Sequence, residues 1–216
     1  MIYFNCDYLE GGHPKILEKM LSTNMEQLTG YSTDHYCDSA RERIRQACGC
    51  PDADVHFLVG GTQTNLTAIA SILRPYQGVL AAHDGHIACH ETGAIEATGH
   101  KVLPIPCVDG KITADQVREF CHSHQTNTMR EHMVQPGMVY ISFPTEIGSL
   151  YTKKELKELS AACHENGIPL YIDGARMGYG LTSPDADVTL QDIASLCDMF
   201  YIGGTKCGAV MGEALV

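Results

Sequence analysis

The sequence predicts an α/β fold, in which a mainly parallel, seven-stranded sheet is flanked by helices. Short apolar runs recur along the chain, and Met138–Phe143 is the clearest of them. Segments with apolar residues at helical spacing separate these runs, as between Thr152 and Asn166. Because a strand, a helix and a second strand in this order form a right-handed crossover, consecutive strands are expected to run parallel.

Two helices and a strand are predicted in the first part of the chain. Apolar residues at helical spacing predict a helix over Pro14–Leu28, with a proline at its start and Gly30 just past its end. A second helix is predicted over Asp38–Cys48, and its arginines are interpreted as a solvated face. Val55–Val59 is interpreted as a short buried strand.

The middle of the chain alternates helices and strands. Helices are predicted over Leu66–Leu73 and Glu91–Thr98, and strands over Gly78–Ala82 and Lys101–Ile105. Thr113 has the side chain of a helix N-cap. The polar stretch that follows it, which contains several histidines, is expected to be an exposed excursion without a site.

The last third of the chain continues the pattern. Thr152 caps a predicted helix that Gly167 ends, and the leucines of this helix face the sheet. Apolar runs at Pro169–Ile172, Met199–Ile202 and Ala209–Val216 are interpreted as the last three strands. No repeat or low-complexity linker interrupts this order, so one domain is expected.

Composition limits the classes of function. The 216 residues are 44% hydrophobic and 19% charged, as in ordinary globular domains. A formal charge of −11 argues against nucleic-acid binding, which relies on clustered Lys and Arg. No apolar stretch reaches the roughly 20 residues of a membrane helix, and no signal-peptide pattern is present, so a cytoplasmic location is expected. The ten cysteines form no CxxC pair, which indicates free thiols.

Charged residues follow two of the predicted strands. Asp173-Gly-Ala-Arg176 comes directly after one, and Gly203-Gly-Thr-Lys206 after the other. Open α/β sheets bind ligands at the carboxyl ends of their strands. Pyridoxal phosphate requires a lysine amine for its Schiff base and a carboxylate that keeps its pyridinium nitrogen protonated. Either residue alone is typical of a solvated surface charge, but together Lys206 and Asp173 are candidates for holding this cofactor.

The glycine turn after Val55–Val59 leads into a helix. Unpaired backbone N–H groups at a helix N-terminus attract anions. Gly61 and Thr62 are therefore candidates for binding the cofactor phosphate, with a simple helix cap as the alternative. The turn matches neither a Walker A loop nor a dinucleotide-binding motif.

Histidine and cysteine residues after Gly78–Ala82 offer a rival chemistry. His86 and His90 would share a helix face with Cys89 between them, which is ligand-like spacing for zinc. No second cluster completes a structural zinc site, so no metal is expected. A histidine stacked over a flat cofactor ring fits the same spacing.

With these motifs in this order, the chain resembles the threonine aldolase and β-eliminating lyase family of pyridoxal-phosphate enzymes. The most specific parts are Asp173-Gly-Ala-Arg176, the glycine-bounded Lys206, and His86 five residues before Glu91. The resemblance implies the aspartate-aminotransferase type of fold, and homodimers or homotetramers with active sites at subunit interfaces. It also implies a small amino acid as substrate, and neither nucleic acid nor a membrane is expected as a partner.

The resemblance implies roles for the cofactor-binding residues. Lys206 would be the Schiff-base lysine, Asp173 would face the pyridinium nitrogen, and His86 would stack on the ring. Gly61 and Thr62 would hold the phosphate.

Substrate-binding residues follow from the same resemblance. Arg176, beside the cofactor, matches the arginine that binds the substrate carboxylate, and its guanidinium fork suits two oxygens. Asp7 lies where an N-terminal Ser-Asp pair enters the site, with Cys6 in place of the serine. Tyr31 resembles the tyrosine of an early glycine-rich loop and is a candidate for contact with a neighbouring subunit.

Two departures from the family pattern bear on activity. Many threonine aldolases carry a second histidine after the strand that corresponds to Met138–Phe143, whereas this chain offers Thr145 and Glu146 as candidate substitutes. Family members also continue into a small C-terminal domain. Residues 1–216 are therefore expected to form the pyridoxal-phosphate-binding large domain with its N-terminal arm, without that small domain.

The implied activity is retro-aldol cleavage of a β-hydroxy amino acid to glycine and an aldehyde. The alternatives are a β-eliminating or racemising pyridoxal-phosphate enzyme of the same fold, an inactive truncated domain that binds cofactor or a partner, and a zinc-binding module built on His86, Cys89 and His90. The general base for the β-hydroxyl proton is open among His86, Glu146 and a bound water.

Overall fold

The computed structural model describes residues 1–216 and confirms the α/β prediction. The strands are β1 (His56–Leu58), β2 (Gln77–Ala82), β3 (Lys101–Ile105), β4 (Gln135–Ser142), β5 (Leu170–Asp173), β6 (Met199–Gly203) and β7 (Glu213–Leu215). They form one seven-stranded sheet in the order β1-β7-β6-β5-β4-β2-β3. β7 runs antiparallel to both neighbours, and all other pairs are parallel. The carboxyl ends of β1 to β6 therefore lie along one edge.

Nine α-helices cover the sheet or extend from it. They are α1 (Pro14–Thr23), α2 (His35–Cys48), α3 (Gly61–Ile72), α4 (His86–Cys89), α5 (Ala94–Ala97), α6 (Ala114–Thr126), α7 (Lys153–Glu165), α8 (Met177–Thr182) and α9 (Leu190–Leu196). A 3₁₀ helix, Arg130–His132, precedes β4. None of the helices combines the length and the apolar character needed to cross a membrane.

Both faces of the sheet are buried against helices. Val139 and Ile141 of β4 point to one face, into a core of 24 buried residues that includes side chains of α6 and α7. Met138 and Tyr140 point to the other face, into a core of 13 buried residues that includes side chains of α3 and α5. A strand buried on both sides has a continuous apolar sequence, which explains why β4 is so clear in the sequence.

Local capping confirms the predicted bounds of α7. The Thr152 hydroxyl accepts from the backbone N–H of Glu155 (3.2 Å), and the Glu155 carboxylate accepts from the Thr152 N–H (2.7 Å). Gly167 follows the helix with a φ of 64°, a conformation that favours glycine. The same reciprocal pairing between Thr113 and Gln116 begins α6.

Four predicted helix bounds are wrong. α2 begins at His35 instead of Asp38, with Asp34 as its N-cap. α1 ends at Thr23 instead of Leu28, and none of its side chains is buried. α3 begins at Gly61 instead of Leu66, because the polar residues between these positions form its first turn. The helix predicted over Glu91–Thr98 is interrupted by a turn with positive φ angles, and only the short α5 lies within that range.

The polar stretch before β4 also differs from its prediction. α6 continues to Thr126, because Val117 and Cys121 bury one of its faces. His122 and His124 therefore lie on a helix and not in an irregular excursion, whereas the predicted exposure is confirmed for His122. α8 and α9 have no predicted counterpart.

Two further predictions, for β1 and for the arginines of α2, differ from the structure. β1 pairs only with β7 at the edge of the sheet, so it is partly exposed where a buried strand was predicted. Arg41 and Arg45 of α2 donate to the carbonyl oxygens of Val55 (3.2 Å) and Ala53 (2.7 Å). These two arginines tie α2 to the segment before β1, and their interpretation as a solvated face is wrong.

The loops after β5 and β6 leave no space for a side chain at Gly174. The Gly203 N–H donates to the Gly174 carbonyl oxygen (2.9 Å). A Cβ on Gly174 would overlap the backbone carbonyl oxygen of Tyr201. This contact sets the spacing between the segments that carry Asp173 and Lys206.

Gly174→Ala is expected to lower the free energy of unfolding by at least about 2 kcal/mol, because no side-chain rotation relieves a clash with backbone. Gly178→Ala in α8 is the control, since its Cβ would meet nothing closer than 3.5 Å and alanine favours a helix. Urea unfolding followed by circular dichroism measures both variants. Equal stability of Gly174→Ala and the unchanged chain would contradict this packing.

Candidate active site

The carboxyl edge of the sheet opens into a cavity of about 350 Å³. The chain leaves β1, β4, β5 and β6 at this edge, and α3 and α4 begin there. Six residues of the predicted site line the cavity together: Gly61, Thr62, His86, Asp173, Arg176 and Lys206. They come from distant parts of the chain, so their convergence supports the interpretation of the motifs.

α3 presents an uncapped N-terminus to this cavity. No side chain caps it, and its first backbone hydrogen bond runs from the Thr64 N–H to the Gly60 carbonyl oxygen (3.0 Å). The N–H groups of Gly61 and Thr62 therefore have no acceptor within the helix. A Cβ on Gly61 would lie 3.0 Å from the Tyr201 hydroxyl, so a side chain would crowd this cradle. Free N–H groups at a helix start suit a phosphate.

Asp173, at the end of β5, is only 3% exposed and accepts three hydrogen bonds. The donors are the Tyr140 hydroxyl (2.6 Å), the Asn65 side-chain amide (2.9 Å) and the Ala175 N–H (2.9 Å). Burial, together with the nearby Asp173 charge, raises the pKa of Tyr140 well above its usual value, so this hydroxyl stays a donor. Such donors stabilise an ionised carboxylate, the form that pairs with a protonated ring nitrogen.

Asn65 links Asp173 to a second buried acid. Its amide nitrogen donates to Asp173 and also to Oε1 of Glu91 (2.7 Å). Its amide oxygen accepts from the Tyr171 hydroxyl (2.8 Å), so the nitrogen faces the two acids. Sequence reasoning missed this role of Asn65, because its partners are far away along the chain.

Glu91 in turn orients His86. Its Oε1 lies 2.8 Å from Nδ1 of His86, and this hydrogen bond raises the pKa of His86. The carboxylate favours the proton on Nδ1 and leaves Nε2 as the free ring nitrogen. The backbone N–H of His86 donates to Glu146 (2.8 Å), so both ring and backbone are held at the start of α4.

Lys206 lies in the turn after β6, where its neighbours hold the backbone. Glu213 of β7 accepts from the Gly204 N–H (2.9 Å) and the Thr205 hydroxyl (2.8 Å). The Tyr179 hydroxyl donates to the Lys206 carbonyl oxygen (2.7 Å). Burial raises the pKa of Glu213, which also lines the cavity. Sequence reasoning missed Glu213, because a single acid in a short strand carries no sign of burial.

Arg176 faces the cavity with its guanidinium already paired. Its Nε and Nη2 atoms contact the two carboxylate oxygens of Asp7 on the N-terminal segment. Both residues border an adjoining cavity of about 830 Å³. This is the fork geometry of an arginine that binds a carboxylate, so Asp7 occupies the position that the resemblance gives to the substrate carboxylate.

Of the two candidates for replacing the second histidine, the geometry favours Glu146. Thr145 is buried, and its hydroxyl pairs with that of Ser149 (2.7 Å). Glu146 lines the cavity, and its Oε1 accepts from the Ser142 hydroxyl (2.6 Å) and the His86 N–H (2.8 Å). Because both bonds reach Oε1, the second oxygen is available to a ligand.

Tyr31 does not line the cavity: it is fully exposed in the turn between α1 and α2, so its predicted contact with a neighbouring subunit stays a prediction. The residues of the zinc interpretation do not converge, since His86 is bound to Glu91 and the Cys89 thiol donates to the His83 carbonyl oxygen (3.0 Å).

Comparisons with known proteins show which family the chain resembles in sequence and in structure. The family model described as beta-eliminating lyase matches residues 4–216. A low specificity L-threonine aldolase from Pseudomonas sp. (strain NCIMB 10558) is 31% identical over 218 residues, covering 99% of this chain and 61% of the relative. A solved structure of Leishmania major threonine aldolase has a TM-score of 0.93 at 53% identity, covering 97% of this chain and 60% of that one. The chain therefore spans about 60% of the length of these relatives.

Glu91→Gln is expected to lower the pKa of His86 toward its ordinary value of about 6.5. The variant keeps a hydrogen-bond acceptor but loses the negative charge that favours the imidazolium. An NMR titration of the His86 ring measures the change. Glu96→Gln, at an exposed position of α5, is the control.

Glu91→Gln should also alter how the free energy of unfolding depends on pH. A raised pKa stabilises the folded protein fully below the pKa of an unfolded histidine, and the effect is lost as the pH rises through the folded pKa. The unchanged chain should therefore exceed Glu91→Gln in stability by more below about pH 6 than at alkaline pH. A His86 pKa that does not respond to Glu91→Gln would contradict the assignment.

Proposed function

Because the chain belongs to the beta-eliminating lyase family, we propose that it is a pyridoxal-phosphate enzyme of the threonine aldolase type. The reaction is cleavage of a β-hydroxy amino acid, such as threonine, into glycine and an aldehyde. Lys206, Asp173 and the uncapped start of α3 converge on one cavity, and this convergence carries the proposal. The name of the Pseudomonas relative supports the substrate class. In this proposal residues 1–216 are the large domain with its N-terminal arm.

The cavity fits the cofactor at each of its polar ends. The Lys206 amine would hold the aldehyde carbon, Asp173 would pair with the ring nitrogen, and the free N–H groups of α3 would bind the phosphate. His86, fixed through its Nδ1, would cover one face of the ring. When bound, pyridoxal phosphate supplies an electron sink that allows a bond to the substrate Cα to break.

Arg176 would orient the substrate. A substrate carboxylate that replaces Asp7 meets the same two guanidinium nitrogens. This two-point contact fixes the rotation of the amino acid and so selects which Cα bond stands perpendicular to the ring. That selection separates carbon–carbon cleavage from elimination and racemisation.

Glu146 would accept the proton of the substrate β-hydroxyl. Ser142 and the His86 N–H hold one of its oxygens, and the other is available in the cavity. A positioned carboxylate within hydrogen-bond reach of a hydroxyl is a general base. His86 suits this role less well, because its Nδ1 is bound to Glu91 and its raised pKa favours the protonated ring.

The exposed apolar surface of α1 supports a homodimer or homotetramer. No residue of α1 is buried, and Leu17, Met20 and Leu21 are exposed. Large apolar patches on a surface mark sites of association. Tyr31 belongs to the same exposed N-terminal region, where a neighbouring subunit could meet it.

Lys206→Ala is expected to abolish the visible absorbance that pyridoxal phosphate acquires on bonding to an enzyme lysine. Lys154→Ala, which alters an exposed lysine of α7, is the control and should keep the band. In the unchanged chain, threonine should change the spectrum and release glycine and acetaldehyde. Persistence of the band in Lys206→Ala would overturn the lysine assignment.

The products separate this proposal from its alternatives. Release of pyruvate and ammonia from serine would indicate β-elimination, and inversion at Cα would indicate racemisation. Cofactor binding without turnover of any of these substrates would indicate a binding domain.

Glu146→Gln is expected to lower kcat for threonine cleavage by about 10²- to 10⁴-fold, because an amide cannot take the hydroxyl proton. The absorbance of the bound cofactor should not change, since Glu146 does not hold it. Glu158→Gln, at an exposed position of α7, is the control. A loss of kcat below about tenfold would argue against Glu146 as the base.

A further inference from the structure

Three metal-binding side chains meet outside the cavity, where the chain leaves β2 and β3. His83 and Asp84 follow β2, and Cys107 follows β3. The two strands are parallel neighbours, and the His83 N–H donates to the Ile105 carbonyl oxygen (2.9 Å), which holds the loops together. The Cys107 sulfur lies 3.4 Å from Nδ1 of His83 and 3.0 Å from Oδ1 of Asp84. All three ligand atoms lie within 4.8 Å of one another.

We propose that His83, Asp84 and Cys107 form a zinc-binding site with one coordination position open to solvent. Tetrahedral zinc has bonds of about 2.3 Å to sulfur and about 2.0–2.2 Å to nitrogen and oxygen, which places its ligand atoms roughly 3.5 Å apart. The distance from sulfur to nitrogen is close to this value, and a small rotation of Asp84 brings its oxygen to it. A thiolate and an imidazole select zinc over magnesium or calcium.

The arrangement allows an ion to enter and bind. His83 is exposed, and Asp84 and Cys107 are half-buried. The Cys107 thiol donates a hydrogen bond to Oδ1 of Asp84. Zinc binding replaces the S–H bond with a sulfur–zinc bond and releases this proton to solvent. Water completes the coordination, as in other zinc sites with three protein ligands.

Zinc at this position would stabilise the turn that precedes His86. Gly85 alone separates Asp84 from His86, and a Cβ on Gly85 would lie 3.0 Å from the Ala82 carbonyl oxygen, so the turn is tight. The ion ties this turn to the end of β3 through Cys107. The metal therefore supports one wall of the cavity without touching the substrate.

Cobalt(II) titration of the purified, chelator-treated chain tests the proposal. We expect one equivalent to bind with near-ultraviolet absorbance from thiolate-to-cobalt charge transfer, and zinc to displace it. Cys107→Ser is expected to abolish this absorbance and to weaken binding by more than the about 10- to 100-fold that an outer-shell partner costs. His83→Ala, at an exposed position that leaves the fold intact, is expected to weaken binding similarly.

Cys89→Ser is the matched control, because this exposed thiol lies in the same region and donates to the His83 carbonyl oxygen, not to a proposed ligand atom. Its cobalt spectrum should equal that of the unchanged chain. Charge transfer that survives Cys107→Ser, or no binding of micromolar cobalt or zinc, would overturn the proposal. These measurements need no pyridoxal phosphate, so their outcome is independent of Lys206 and of threonine cleavage.

Discussion

Burial of the Asp173 carboxylate is the constraint on which the site depends. Removing a carboxylate from water costs several kcal/mol unless hydrogen bonds compensate for the lost hydration. Tyr140, Asn65 and the Ala175 N–H supply three such bonds. These donors come from β4, from α3 and from the loop after β5, so the three bonds to Asp173 require the correct strand order and the correct position of α3 at once. The physical conditions for the fold and for the cofactor site are therefore largely the same.

The hydrogen bonds around Asp173 extend to the ring of His86. Buried carboxylates need hydrogen-bond donors in place of the lost water. Asn65 donates to both Asp173 and Glu91, and His86 lies against Glu91 on its other side. Linked hydrogen bonds polarise one another, so these residues act as a unit, and within it Oε2 of Glu91 is buried without a hydrogen-bond partner. The carboxylate proposed to face the cofactor ring nitrogen is thereby coupled to the imidazole proposed to cover the ring face.

The sequence correctly predicted that residues after two strands, Asp173 and Lys206, lie at one edge of the sheet. Asp173 and Lys206 could be located because strands of one direction bring their carboxyl ends to one edge, whatever their order in the sheet. The order itself decides which distant side chains meet. For example, the pairing of β2 with β3 places Cys107 next to His83, and no local sequence pattern predicts that pairing. The early start of α3 was missed for a different reason: Gly61 and the polar residues after it have weak helix propensity, and tertiary packing overrides it.

The charged groups at the two ends of the cavity, the Asp7–Arg176 pair and Asp173, differ in burial. Asp7 and Arg176 are 38% and 30% exposed in their side chains, and pairs of this kind contribute only about 0–1 kcal/mol. In the proposed function a substrate carboxylate would displace Asp7 at little cost, because the N-terminal segment that carries Asp7 is itself exposed. The three bonds to buried Asp173 cannot be exchanged for water in the same way. The proposed cofactor end is thus held by buried hydrogen bonds, whereas the proposed substrate end is held by a weak internal ion pair that an amino acid would replace.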